Sequence, residues 1–146
     1  KEINMSASQP CKLHEMLEAD TIFIKDLPLC RLVLMNNTNH PWCILVPRVD
    51  EVVDVYQMDW QDQQQYLNES SMLCEVMMQL FPGTKMNVAA LGNICPQLHV
   101  HHIVRFEDDI DWPHPVWGRT QSVGYSSEKI EEIKTNLLNA LNSIIV

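Results

Sequence analysis

Long apolar runs are missing from this chain of 146 residues. The longest candidates, residues 22–24 and 44–47, are strand-sized and far short of the ~20 residues that span a bilayer, so no membrane helix is expected. Glycine is scarce, with four residues against eight prolines, which excludes a collagen-like or low-complexity chain. Positive charge is scarce too: Lys and Arg number 10, Asp and Glu 19, for a formal net charge of −9. A field of that sign repels polyanions and leaves no basic stripe, so long nucleic acid is not expected as a partner. A small phosphorylated ligand stays open, because a local cluster of donors outweighs a distant field screened over ~8 Å. The N-terminus lacks the basic, then apolar, then small-residue order of a secretory signal. CxxC pairs are absent. The cysteines, at 11, 30, 43, 74 and 95, are odd in number, which points to free, buried thiols in a reducing cytosol.

What is present is ordinary globular material, 46% hydrophobic and 20% charged, enough for one domain with a real core. No internal repeat or long linker divides residues 1–146. Residues 21–25 and 32–35 read as two antiparallel strands across Asp26-Leu27-Pro28. Residues 36–39, Asn-Asn-Thr-Asn, form a turn cluster, and residues 42–46 a third strand ended by Pro47. A helix is predicted from Trp60 to about Phe81, with Asp59 as N-cap, Leu73, Val76, Met77 and Leu80 on its apolar side, and Pro82-Gly83 as its stop. Strands follow near residues 85–91 and 98–106. A final helix starts after Ser126 or Ser127, over about 127–145. Its early Glu128, Glu131 and Glu132 favour the positive dipole end; Ile130, Ile133, Leu137, Leu141 and Ile144 make a stripe for the core or a dimer surface. Between them, residues 108–118 carry three acids, two Trp and two Pro and are expected to form an ordered loop.

Three of the six histidines fall within residues 99–102, in Gln97-Leu98-His99-Val100-His101-His102-Ile103-Val104-Arg105. In a strand, alternate side chains share a face, so Gln97, His99, His101 and Ile103 lie together. His102 joins the apolar set Leu98, Val100 and Val104 as a core or interface histidine. Three readings of the paired imidazoles compete. They can be solvent-tolerant residues of a surface strand. They can be two metal ligands, although tetrahedral zinc needs more and the acids at 107–109 lie beyond the strand. They can also serve phosphate chemistry, one neutral imidazole attacking phosphorus while its neighbour donates to a phosphate oxygen.

The stretch resembles the signature of histidine triad (HIT) proteins, His-φ-His-φ-His-φ-φ with φ apolar, with Gln97 at the first position, His99 at the second, His101 at the third and Arg105 where the family often has an Arg. Cys43-Ile44-Leu45-Val46-Pro47-Arg48 is similar to the family's strand ending in Pro and a basic residue. Lys85-Met86-Asn87 and Leu91-Gly92-Asn93 resemble the approach to the motif. The likeness spans about residues 15–118. It implies an α+β fold: an antiparallel sheet of about five strands with a central helix and a C-terminal helix.

The resemblance further implies a nucleotidyl hydrolase or transferase that cleaves a nucleoside monophosphate from a phosphoramidate or dinucleoside polyphosphate. The alternative is a low-activity nucleotide sensor or scaffold. It assigns His99 as nucleophile, His101 as the phosphate contact, Asn36 to the ribose hydroxyls, Asn87 to ribose or phosphate, and Asn93 to phosphate or the leaving group. It implies a small nucleotide as ligand, no cofactor and no metal, and a cytoplasmic two-fold homodimer in which residues 111–118 or the last helix reach the partner, with Trp117 near the neighbouring site. The chain departs from the pattern at Gln97, which cannot titrate. It departs again at Ile94, where some members have a Ser beside the leaving group, and at Trp42, where a His is common.

Overall fold

A computed structural model describes residues 12–144. Its elements are α1 (Glu15–Asp20), β1 (Thr21–Asp26), β2 (Cys30–Met35), β3 (Trp42–Pro47), α2 (Trp60–Leu80), β4 (Lys85–Ala89), β5 (Val100–Arg105) and α3 (Ser127–Ile144), with a 3-10 turn at Val55–Gln57. The strands form one antiparallel sheet in the order β1-β2-β3-β5-β4. This is the α+β architecture that the sequence predicts. Cys11 and the rest of residues 1–11 lie outside the described residues; Cys30, Cys43, Cys74 and Cys95 are free thiols.

The two central strands, β3 and β5, are buried along their whole length. The period of two then sorts their side chains between two separate cores. On one face Leu32, Leu34, Cys43, Leu45, Val100 and Val104 meet Leu73, Val76 and Met77 of α2 and Ile133, Leu137 and Leu141 of α3. The α3 stripe is therefore core. On the opposite face Val33, Trp42, Ile44, Val46 and Ile103 meet Leu17 of α1 and Val116. No long helix covers that second face, and the paired imidazoles stand on it.

Local chemistry sets the boundaries. Asp59 is the α2 N-cap by position, but its side chain makes no capping hydrogen bond. The stop at Pro82-Gly83 is steric as well as conformational. A Cβ on Gly83 would lie 2.5 Å from Val104 Cγ1 and 2.6 Å from the Arg105 carbonyl oxygen, so only glycine lets the chain turn into β4 this close to β5. The last strand begins at Val100 rather than 98, because the Leu98 N–H donates to Val52 O at 3.0 Å instead of to a neighbouring strand. β4 ends at Ala89, two residues sooner than its apolar run suggests. The six-residue α1 was not anticipated; its sequence EMLEAD offers a single buried residue, Leu17.

One buried carboxylate fixes the β1–β2 connection. Glu69 of α2 accepts from the main-chain N–H groups of Leu29 and Cys30, and from Gln65 Nε2. The two main-chain donors sit where the chain turns into β2, and the carboxylate satisfies both.

Candidate functional site

Pairing of β5 with both neighbours sets the face of each side chain. His101 stands opposite Ile44 of β3 and Ala89 of β4, and Ile103 stands opposite Trp42 and Asn87. His99, just before β5, and His101 thus share the face that alternation predicts. Their rings meet edge to face with centroids 5.0 Å apart. His102 points to the other face, as its apolar neighbours imply. Its Nδ1–H donates to Val100 O at 2.9 Å, and its Nε2 accepts from Ser70 Oγ of α2 at 2.7 Å. Burial pushes its pKa down to about 4 despite the main-chain bond, so it stays neutral in the core.

His99 is the informative ring. Its Nδ1 lies 2.7 Å from the main-chain oxygen of Gln97. A carbonyl can only accept, so in the neutral ring Nδ1 carries the proton and the lone pair falls on Nε2. That is the tautomer a nucleophile requires. His101 is buried against its neighbours: Trp42 Nε1 donates to its Nδ1 at 3.0 Å, and Trp117 packs edge-on at 5.1 Å. Burial, then the nearby His99 and His102, push the His101 pKa down to about 3.

The Gln97 side chain is engaged elsewhere. Its Oε1 accepts from the His14 N–H at 2.7 Å, and its Nε2 donates to Lys12 O at 3.2 Å. Both ends of the carboxamide hold the segment leading into α1, whose first turn His14 itself caps through Nδ1. Sequence reasoning had no signal for this long-range contact.

The candidate asparagines fall in three places. Asn36 is half-buried; its Oδ1 accepts from the Tyr125 N–H at 2.8 Å. It lines a cleft of about 340 Å³ together with Met35, Asn37, Trp42, Trp117 and Thr120. Asn87 turns its Oδ1 to Arg105 Nη1 at 3.0 Å. Asn93 is exposed in the β4–β5 connection, next to an Ile94 that is 79% exposed. A depression of similar volume, lined by Leu13, Glu18, Thr21, Phe23 and Arg31, includes none of these residues, and neither hollow is lined by His99 or His101.

Trp117 packs edge-on against His101 and Trp42 of its own chain. What puts it there is a buried polar clamp that the sequence reading missed. Arg105, at the end of β5, donates to both oxygens of Asp109 at 2.9 and 3.1 Å. Burial opposes the charge on Asp109, but Arg105 and the N–H groups of Phe106 and Asp111 outweigh it and hold the pKa at about 2. Two residues on, Asp111 accepts from His40 Nε2 at 2.7 Å and from the Thr120 hydroxyl. His40 Nδ1 lies 3.7 Å from Asp109. The two acids therefore tie the 107–120 loop to the ends of β5 and the β2–β3 turn. The visible signal was two aspartates close behind a strand-ending Arg.

Among the described residues no group of three or more His, Cys, Asp or Glu is arranged to hold a metal ion, and no helix is long and apolar enough to cross a membrane.

Comparison with known proteins agrees with the motif. The HIT domain model matches residues 16–108. A histidine triad protein from Marinobacter aquaeolei VT8 is 49% identical, with 91% of this chain and 97% of that one covered and a TM-score of 0.88. One from Bradyrhizobium japonicum is 37% identical over 89% and 97%, with a TM-score of 0.87. One from Sinorhizobium meliloti 1021 is 34% identical over 92% and 99%, with a TM-score of 0.89. Comparison with curated proteins finds no match. With the sheet, the paired imidazoles and these likenesses in agreement, the chain belongs to the histidine triad (HIT) family.

Proposed function

We propose that the protein is a nucleotidyl hydrolase or transferase, acting on a nucleoside monophosphate joined to an amine or phosphate leaving group. The observation that carries this reading is the Gln97 oxygen on His99 Nδ1, which places the lone pair of the neutral ring on Nε2, the nucleophile. Nε2 attacks the α-phosphorus. The N–P bond forms as the bond to the leaving group breaks, and the leaving group takes the electron pair. Water then attacks phosphorus, the N–P bond breaks, and the monophosphate is released with His99 restored. Donors at the phosphoryl oxygens stabilise the charge that develops; such donors are typically worth about 2.7–4 kcal/mol each.

His101 and Asn93 fill that role in this reading. Asn36, on the wall of the cleft, holds the ribose hydroxyls. Asn87 faces ribose or phosphate, and the Arg105 bond to its Oδ1 orients its amide. Gln97 contributes its main-chain oxygen. The working form is a homodimer in the cytoplasm.

A second reading, a nucleotide sensor of low turnover, draws support from one observation. The Gln97 carboxamide is bound to the N-terminal segment and the next candidate, Ile94, is apolar, so neither position offers a proton to a leaving group. The test is to incubate the protein with an adenosine phosphoramidate and a diadenosine polyphosphate, quench early and measure intact mass. An added nucleotide on His99 with monophosphate release supports the enzyme; nucleotide binding with neither adduct nor release supports the sensor.

A further inference from the structure

The position where the family often has a His carries Trp42, and its contact has a chemical meaning of its own. We infer that Trp42 is a positioning residue: its indole N–H locks His101 in the Nε2–H tautomer, so that His101 acts as a permanent hydrogen-bond donor and exchanges no proton during turnover.

An indole nitrogen only donates. With Trp42 Nε1 3.0 Å from His101 Nδ1, Nδ1 must present a lone pair, and the ring's one proton sits on Nε2. The indole cannot swing away easily. Trp42 is 6% exposed, sits in the second core with Ile44, Ile103 and Val116, and meets Trp117 nearly perpendicular at 5.8 Å.

Protonating His101 would place two donors, Nδ1–H and the indole N–H, against each other. Among the described residues, none of those packed on the ring is an anion: β3 presents Trp42 and Ile44, β4 presents Ala89, and the loop presents Trp117. The titratable groups beside the ring are His99 and His102, and both disfavour a positive charge on it. A histidine at position 42 could either donate or accept, and would itself titrate; a tryptophan only donates and does not titrate. The structural part of this inference stands on the free protein. Its catalytic part rests on the proposed function, in which the Nε2–H of His101 meets a phosphoryl oxygen.

The test is long-range ¹⁵N–¹H NMR of the histidine rings in the substrate-free protein from pH 5 to 8, for wild type, Trp42→Phe and Trp42→His. In wild type, His101 should show an unprotonated Nδ1 and a protonated Nε2 with no change across that range. In Trp42→Phe it should become a tautomer mixture with a raised pKa. With the phosphoramidate as substrate, kcat should then fall by up to about 100-fold, the low end of what outright loss of an oxyanion donor costs, with KM little moved and an acid limb new to the pH profile. Trp42→His, which retains an N–H donor, should recover part of kcat. A wild-type His101 that titrates between pH 5 and 8, or that carries its proton on Nδ1, overturns the inference, and this result needs no folded variant. If the wild-type ring behaves as expected but the protein turns over no nucleotide, the enzyme reading fails while the tautomer assignment holds.

Discussion

The main-chain oxygen of Gln97 lies 2.7 Å from Nδ1 of His99, and this contact gives the two rings opposite partners at Nδ1, an acceptor for His99 and a donor for His101. His99 is left with a free Nε2 lone pair. His101 receives its partner from a side chain, Trp42, on the neighbouring strand.

If His99 is the nucleophile, His99→Ala should lower turnover by about 10⁴-fold or more, as loss of a nucleophile does elsewhere. The fold should survive, because the ring lies at the entry to β5 and not in the helix-covered core. Asn93→Ala should slow release about 10-fold or more without changing the product. Single-turnover assays with product identification check both. Equal rates for His99→Ala and wild type would refute the assignment.

Gln97→Ala should uncouple two roles of one residue. Losing the carboxamide frees the N–H of His14 and the carbonyl of Lys12, so hydrogen exchange at the His14 amide should accelerate. The carbonyl that orients His99 remains in the alanine variant, so turnover should fall far less than in His99→Ala. Amide exchange and kcat measured on the same samples test this together.

Acid should destabilise the protein at unusually mild pH. Burial holds His101 and His102 neutral, with pKa values of about 3 and about 4, against ~6.5 in an unfolded chain. Between those values the unfolded state binds protons that the folded state refuses. Stability is thus fully present above pH ~6.5 and is lost as the pH falls towards 4, at up to about 1.4 kcal/mol per pH unit per group. Urea unfolding at pH 7, 6, 5 and 4.5 should show this slope, and His102→Asn should reduce it by about half. A flat profile over that range contradicts the burial of these rings.

Glu69→Ala should cost about 3 kcal/mol or more. It strands the N–H groups of Leu29 and Cys30, and each buried donor left unpaired costs about 1–3 kcal/mol. Chemical denaturation reads the loss directly. An unchanged midpoint would mean that these donors find other partners.

Much of this was legible in the residues because the informative features are periodic. Alternation along 97–105 placed His99 and His101 on one face and His102 on the other, and the helical spacing of Leu137 and Leu141 marked the α3 core. What stayed hidden depends on which loop lies over which strand. Nothing local to Gln97 announces residues 12 and 14 as its partners, and the two aspartates close behind Arg105 do not by themselves announce that the second will reach back to His40. The placement of Trp117 followed from that clamp. Its packing on His101 and Trp42 of the same chain was hidden as well, because a loop's path cannot be read from its own composition.

The clamp has a consequence for how a ligand meets the protein. Asp111 is buried and the Asp109 side chain only 5% exposed; they anchor the loop to Arg105 and His40, so the Trp117 wall is built during folding rather than on encounter. The ordering entropy of that loop is already absorbed when the ligand arrives. Binding should therefore be a single fast step, with an observed rate that rises linearly with ligand concentration and no plateau from a loop-closing event.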